Sequence, residues 1–222
     1  SVLGELNTVI TMNNIQINSV LGDAIHAELT LNSAVEAEQN VTIRNGSFER
    51  NGRGLHASVS GVDDSQATQS LQLLSDNPSD ATIVNQIQLN FHEGVLLENI
   101  NTLNSVSSTF TAEQNLNLEN TIIQSNQGAG IQALLGPAGV DGNGRSFTSS
   151  INIQNANISL NDGSGLVLDT LSSNTEVNLT NTVFTSNLLS NRAGGNSNGT
   201  RLDGAEAERA RLNALLTDQR EV

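Results

Sequence analysis

The chain contains no cysteine, tryptophan, tyrosine or lysine, and each absence removes a class of function. Without cysteine there is no disulfide framework and no thiolate metal site. Without tryptophan or tyrosine the core must be aliphatic: Val, Ile, Leu and Ala, with five Phe. The same lack removes the flat aromatic platforms on which sugar rings usually stack. Without lysine, all nine basic residues are Arg against 23 acidic ones, and the formal net charge is −14. Such a surface repels nucleic acid and anionic lipid, so neither is expected as a partner, while cations suit it. No run approaches the roughly 20 apolar residues of a membrane span, so this segment is not expected to insert into a bilayer. The chain opens inside a patterned stretch, "LNTVITMNNIQIN". It therefore reads as a piece of a longer protein with further domains.

What is present is a repeat. "ITMNNIQINSVLGDAIHA", "VTIRNGSFERNGRGLHAS", "LNLENTIIQSNQGAGIQA", "INIQNANISLNDGSGLVL" and the shorter "VNLTNTVFTSN" share one template. It runs apolar-x-apolar-x-Asn, an apolar residue, a further Asn, then Gly and an apolar strand. "ATIVNQIQLNFHEGVLLE" fits after a one-residue deletion. The template asparagines are Asn14, Asn45, Asn85, Asn120, Asn155 and Asn181. A fixed motif at variable intervals marks a solenoid whose connections change length; "LLGPAGVDGNGRSF" and "SVSGVDDSQATQS" read as two such insertions.

Alternation within each motif marks strands: Val41, Ile43 and Asn45 share one face, as do Leu55, Ala57 and Val59. Strands this short and this spaced cannot fold back as hairpins. Stacked on their counterparts, they make parallel sheets with about 4.8 Å between rungs. The six template asparagines would then form an inward amide ladder. The expected fold is all-β: a right-handed parallel β-helix of about five to six coils over 1–191, its hand set by the crossover preference. Residues 192–222 read as a Gly/Asn-rich linker and a short C-terminal helix near 204–217, with Asp203 as N-cap and Glu206 completing a capping box. That helix is a cap or a connector.

On these motifs the chain resembles the pectin-lyase-like superfamily of right-handed parallel β-helices, over about Leu6 to Asn191. "FERN" and "FTSN", with "GDAI", are also similar to the repeats of chlamydial polymorphic outer-membrane proteins. The resemblance implies a surface or secreted bacterial setting. It also implies that the strand opening at each Gly-apolar pair carries any ligand groove.

The outward residues of that strand fall in two columns. One is His26, His56, Leu96, Gln132 and Val167; the other is Glu28, Ser58, Glu98, Leu134 and Asp169. The polar members, His26, Glu28, His56, Ser58, Glu98, Gln132 and Asp169, are the candidate binding face. His26 and His56 on adjacent rungs are close enough to share a metal or to pass a proton, although an exposed polar ladder is the plainer reading. Glu28 and Glu98, two rungs and about 9.6 Å apart, touch the upper limit for an inverting carboxylate pair. Catalytic candidates are therefore His56, Glu28 and Glu98.

Asp63-Asp64 lacks the companion motifs of polygalacturonases and reads as a solvated turn. The acid cluster and Arg base of pectate lyases are also missing, unless a turn such as that of Arg53 supplies the base. "DGNGR" opens like a calcium loop, so Ca²⁺ on Asp141 and Asn143 is the one cofactor considered. Arg145 at the next ligand position favours a plain Gly-rich turn instead. The sequence points first to a non-catalytic structural or adhesive segment of a large bacterial surface or secreted protein. Its expected partners are host or matrix surface molecules or polysaccharide. The alternative is a polysaccharide lyase or glycoside hydrolase acting along the Gly-apolar strands.

Overall fold

The computed structural model describes residues 4–32, 35–61, 64–76, 84–99, 110–135, 146–170, 173–188, 192–194 and 200–203. Every element among them is a strand, and none is a helix able to cross a membrane. The first repeat is β1 (Gly4–Asn13), β2 (Gln16–Asn18) and β3 (Asp23–Leu31). The second is β4 (Val35–Arg44), β5 (Ser47–Glu49) and β6 (Arg53–Gly61). The third is β7 (Gln66–Leu74), β8 (Asn85–Gln88) and β9 (Val95–Asn99). The fourth is β10 (Thr111–Glu119), β11 (Thr121–Gln124) and β12 (Ile131–Leu135). The fifth is β13 (Ser146–Gln154), β14 (Asn157–Ser159) and β15 (Leu166–Thr170). The sixth is β16 (Ser173–Thr180), β17 (Val183–Thr185) and β18 (Arg192–Gly194), followed by β19 (Thr200–Asp203).

Each repeat places one strand in each of three all-parallel sheets. Sheet A runs β1-β4-β7-β10-β13-β16-β19, sheet B β2 to β17 and sheet C β3 to β18, each strand bonded to its counterpart in the next repeat. The segment read as a linker thus supplies β18 and β19, which pair with β15 and β16. The helix expected near 204–217 lies outside the described residues.

Alternation explains the core. Sheet A turns Val41, Leu71, Leu116, Ile151 and Val177 inward in one column, with Ile43, Leu73, Leu118 and Ile153 in the next. Sheet B, with strands of three or four residues, contributes one inward column: Ile17, Phe48, Ile87, Ile123, Ile158 and Phe184. Sheet C adds Leu55, Val95, Ile131 and Leu166 beside Ala57, Leu97, Ala133 and Leu168. Each fully buried aliphatic side chain contributes roughly 1.5–3 kcal/mol.

Two polar ladders run through this interior, and neither is the expected one. Between sheets B and C lie Asn51, Asn90, Asn126, Asn161 and Asn187, all buried. Asn90 Nδ2 donates to Asn126 Oδ1 (2.8 Å), Asn126 to Asn161 (2.9 Å) and Asn161 to Asn187 (2.9 Å). Each Oδ1 also accepts the backbone N–H of the preceding rung's asparagine. Inside sheet A, Gln114 donates to Gln69 and Gln69 to Gln39, both at 2.8 Å.

The template asparagines serve a different purpose. Asn14, Asn45, Asn120, Asn155 and Asn181 all have φ between 47° and 55°, the left-handed region that Asn tolerates better than most residues. They turn the chain from sheet A to sheet B. Among them Asn45 donates to Asn14 and Asn181 to Asn155, each at 3.1 Å, and Asn45 also donates to Asp76 Oδ2 at 2.7 Å. Asn85 is not at this corner at all. Arg44 pairs with Leu74, so Ser75 holds the corner column, while Asn85 pairs with Thr121 one position later. The extra length of this repeat sits between β7 and β8, at residues 75–84. "SVSGVDDSQATQS", read as an insertion, is instead the end of β6 and the start of β7.

A second left-handed column marks the corner from sheet B to sheet C: Ser19, Arg50, Leu89, Ser125, Leu160 and Ser186. A leucine there is strained by roughly 1–2 kcal/mol, and Leu160 gains little in return because it is 56% exposed. Leu160→Asn should therefore raise the free energy of unfolding by about 1 kcal/mol, read as a higher urea midpoint at unchanged slope.

Candidate functional site

The outward columns of sheet C have the register that alternation demands: His26 on His56 on Leu96 on Gln132 on Val167, and Glu28 on Ser58 on Glu98 on Leu134 on Asp169. The face they form is not an open groove along its length. Ser58, Leu96 and Val167 are 4–6% exposed, and His56 is 8% exposed. Accessible polar groups gather on the first three rungs, where His26 and Glu28 are exposed and Asp23, Arg53, Glu93 and Glu98 are half-buried.

Parallel in-register pairing stacks the imidazoles of His26 and His56 face to face, with centroids 4.2 Å apart and planes within 2°. His26 Nε2 is 3.0 Å from the Ser58 hydroxyl. His56 lies between two carboxylates: Nδ1 is 2.8 Å from Asp23 Oδ2, and Nε2 is 3.3 Å from Glu98 Oε2. A neutral ring can donate to one of these oxygens; the imidazolium donates to both. The other Asp23 oxygen is 3.3 Å from Arg53 Nη1, and Arg53 Nε donates to Glu93 Oε2 at 2.9 Å.

These contacts set the charges. Burial pushes the Asp23 carboxyl upward, but the His56 hydrogen bond and the charges of His56 and Arg53 outweigh it and hold the group below the usual carboxylate range. For Arg53, burial works against the charge, while the bond to Glu93 and the Asp23 charge outweigh it and raise the group above its ordinary value. A carboxyl lowered in the folded state adds stability above its unfolded pKa of about 3.9, and that stability fades as pH falls through the folded value. In chelator, unfolding free energy should therefore drop more steeply below pH ~4 for the parent chain than for Asp23→Asn, as followed by urea midpoints across pH.

Of the candidates from sequence, the structure brings His26, His56, Ser58 and Glu98 together. Glu28 shares the column of Glu98, but its carboxylate accepts from Thr30 Oγ1 at 2.8 Å while Glu98 turns to His56. The two carboxylates thus engage different partners. Gln132 is half-buried two rungs from His56, and Asp169 is placed by register alone. Asp63, Asp141 and Asn143 lie outside the described residues. Asp64 sits in a turn with φ 60°.

Sequence reasoning missed Asp23 and Glu93, and it treated Arg53 as a turn residue. The signal was present. Asp23, Arg53 and Glu93 each stand two residues before the first inward residue of their strand, Ile25, Leu55 and Val95. Aligning the motif there shows one column alternating acid, base, acid.

No protein-family model matches the chain, and no curated protein or solved structure matches it significantly.

Proposed function

We propose that the three sheets are the faces of a right-handed parallel β-helix of the pectin-lyase-like kind. We read it as a non-catalytic scaffold in a bacterial cell-surface or secreted protein, presenting its connections for recognition of host or matrix molecules or polysaccharide. The hand follows from the near-universal sense of parallel crossovers. The observation that carries the reading is where length varies. From sheet C to sheet A the chain crosses in three residues (32–34), four (62–65) and two (171–172), yet in eleven (100–110) and ten (136–145) at the middle repeats. The strands on either side keep an unbroken register through these changes. A further ten-residue connection, 75–84, lies at the corner from sheet A to sheet B. A constant frame with connections of variable length is how rigid scaffolds display binding segments.

Cleavage of acidic polysaccharide is the weaker reading. Asp23, Glu28, Glu93 and Glu98 surround the cluster, and Arg53 is already bonded to two of them. A polyuronate would meet net negative charge. Two outward positions beyond the second rung, Leu96 and Val167, are also buried. Incubation with polygalacturonate, followed for new reducing ends and unsaturated products, should show no turnover. Turnover abolished by His56→Ala or Glu98→Ala would refute the scaffold reading.

A further inference from the structure

The geometry points to a divalent transition-metal site on the outer face of sheet C, formed by Asp23, His26 and His56. The nearest ligand atoms of the three side chains all lie within 4.8 Å of one another. A tetrahedral ion with bonds of about 2.0–2.2 Å needs its ligand atoms roughly 3.4 Å apart. The remaining closure of at most about 1.4 Å is within reach of side-chain rotation at His26, which is exposed. That rotation is required, because parallel stacked rings direct their lone pairs side by side rather than at one point.

The surrounding bonds prepare the ligands. His56 directs Nε2 at the Glu98 carboxylate, leaving Nδ1 on the Asp23 side. A ligating imidazole that donates its second N–H to a carboxylate is the usual support of a metal-bound histidine. His26 uses Nε2 on Ser58, so Nδ1 is its free nitrogen as well. Arg53 holds Asp23 Oδ1 and so leaves Oδ2 on the His56 side. An ion bound by these atoms replaces the shared proton between Asp23 and His56.

Charge favours the same occupant. With neutral imidazoles, four carboxylates (Asp23, Glu28, Glu93, Glu98) face one guanidinium, a local net charge of −3 (−4 + 1) that attracts a dication. Two imidazoles and one carboxylate select Zn²⁺, Ni²⁺ or Cu²⁺ over Ca²⁺ and Mg²⁺, which require oxygen cages. Three protein ligands leave one position to solvent or to a donor from outside the chain.

The test is calorimetric titration of the full chain with ZnCl₂ and, separately, CaCl₂ near neutral pH. One Zn²⁺ should bind per chain, at least tenfold more tightly than Ca²⁺. His26→Ala removes an exposed ligand without touching the core and should weaken Zn²⁺ at least tenfold. Glu98→Gln, which keeps shape and alters only the supporting bond, should weaken it about tenfold. His92→Ala changes an exposed histidine outside the cluster and should leave binding unchanged. In NMR, Zn²⁺ should move the ring signals of His26 and His56 but not those of His92. Equal affinity for Zn²⁺ and Ca²⁺, Zn²⁺ binding undiminished in His26→Ala, or ring shifts confined to His92 would each overturn the site.

Discussion

Replacing Asn126 by leucine should cost about 3–5 kcal/mol of unfolding free energy, more than any surface change in the chain. Asn126 is 1% exposed, and its side chain serves two neighbouring rungs at once. Its Oδ1 accepts from Asn90 N at 3.1 Å and from Asn90 Nδ2 at 2.8 Å. Its Nδ2 donates to Asn161 Oδ1 at 2.9 Å and reaches the Ile87 carbonyl at 3.4 Å. Leucine keeps the branched shape but leaves the Asn90 backbone N–H without its acceptor and Asn90 Nδ2 with only the Phe48 carbonyl at 3.5 Å, in a dry interior where each buried orphan costs about 1–3 kcal/mol. The damage falls between repeats. A stack in which each repeat contacts only its neighbours should then lose cooperativity, with a broadened or two-step urea transition in place of one. Asn155→Gly is the matching control. That asparagine is needed for its left-handed backbone (φ 51°), which glycine adopts freely, so the change should fall within about 0.5 kcal/mol. Equal effects at the two positions would mean that the interior ladder is misassigned.

Phe48→Ala should cost a comparable 3–5 kcal/mol, measured by the same unfolding curves. Sheet B turns one inward column toward the core, and Phe48 fills its second rung between Ile17 and Ile87 with no exposed surface. The ring also covers Gly46, where an added Cβ would meet Phe48 Cε2 at 2.7 Å. Truncation therefore opens a cavity whose walls are pinned. β5 is bonded to β2 on one side and β8 on the other, so neither backbone can collapse into the space. Phe48→Leu should recover most of the loss, since it restores apolar volume at that position.

The core and the register of the site were legible in the sequence because alternation is a strong local signal. Val41 and Ile43, Leu55 and Ala57 face inward as their spacing demands, and His26, His56 and Leu96 stack in one column. The asparagine ladder was not legible, because one residue type meets two separate demands. At Asn45 and Asn120 the backbone requires a left-handed residue, whereas at Asn90 and Asn126 the interior requires an amide that both donates and accepts. Both positions recur once per repeat, so periodicity cannot distinguish them. Asn85 was misaligned for a related reason: the added residues 75–84 fall at a different corner from the other length changes. Strands β18 and β19, with three and four residues, are too short to alternate visibly within a Gly/Asn-rich stretch. In the outward columns, residue type showed what faces out but not what is covered, and burial of Leu96 and Val167 is what narrows the accessible site to its first rungs.

The account rests on consecutive repeats lying one rung apart in unbroken register, and the outward column of sheet A offers a direct ruler. Thr11, Thr42, Gln72, Asn117, Asn152 and Asn178 succeed one another strand by strand. The chain has no native cysteine, so nitroxide labels on introduced cysteines attach only where placed. Pairing Thr11→Cys with cysteine at Asn117, Asn152 or Asn178 and measuring electron–electron dipolar distances should give backbone separations of about 14, 19 and 24 Å, rising ~4.8 Å per rung. Distances that fail to increase in that order, or that change by more than two rungs between neighbouring positions, would contradict the stacked arrangement and the scaffold built on it.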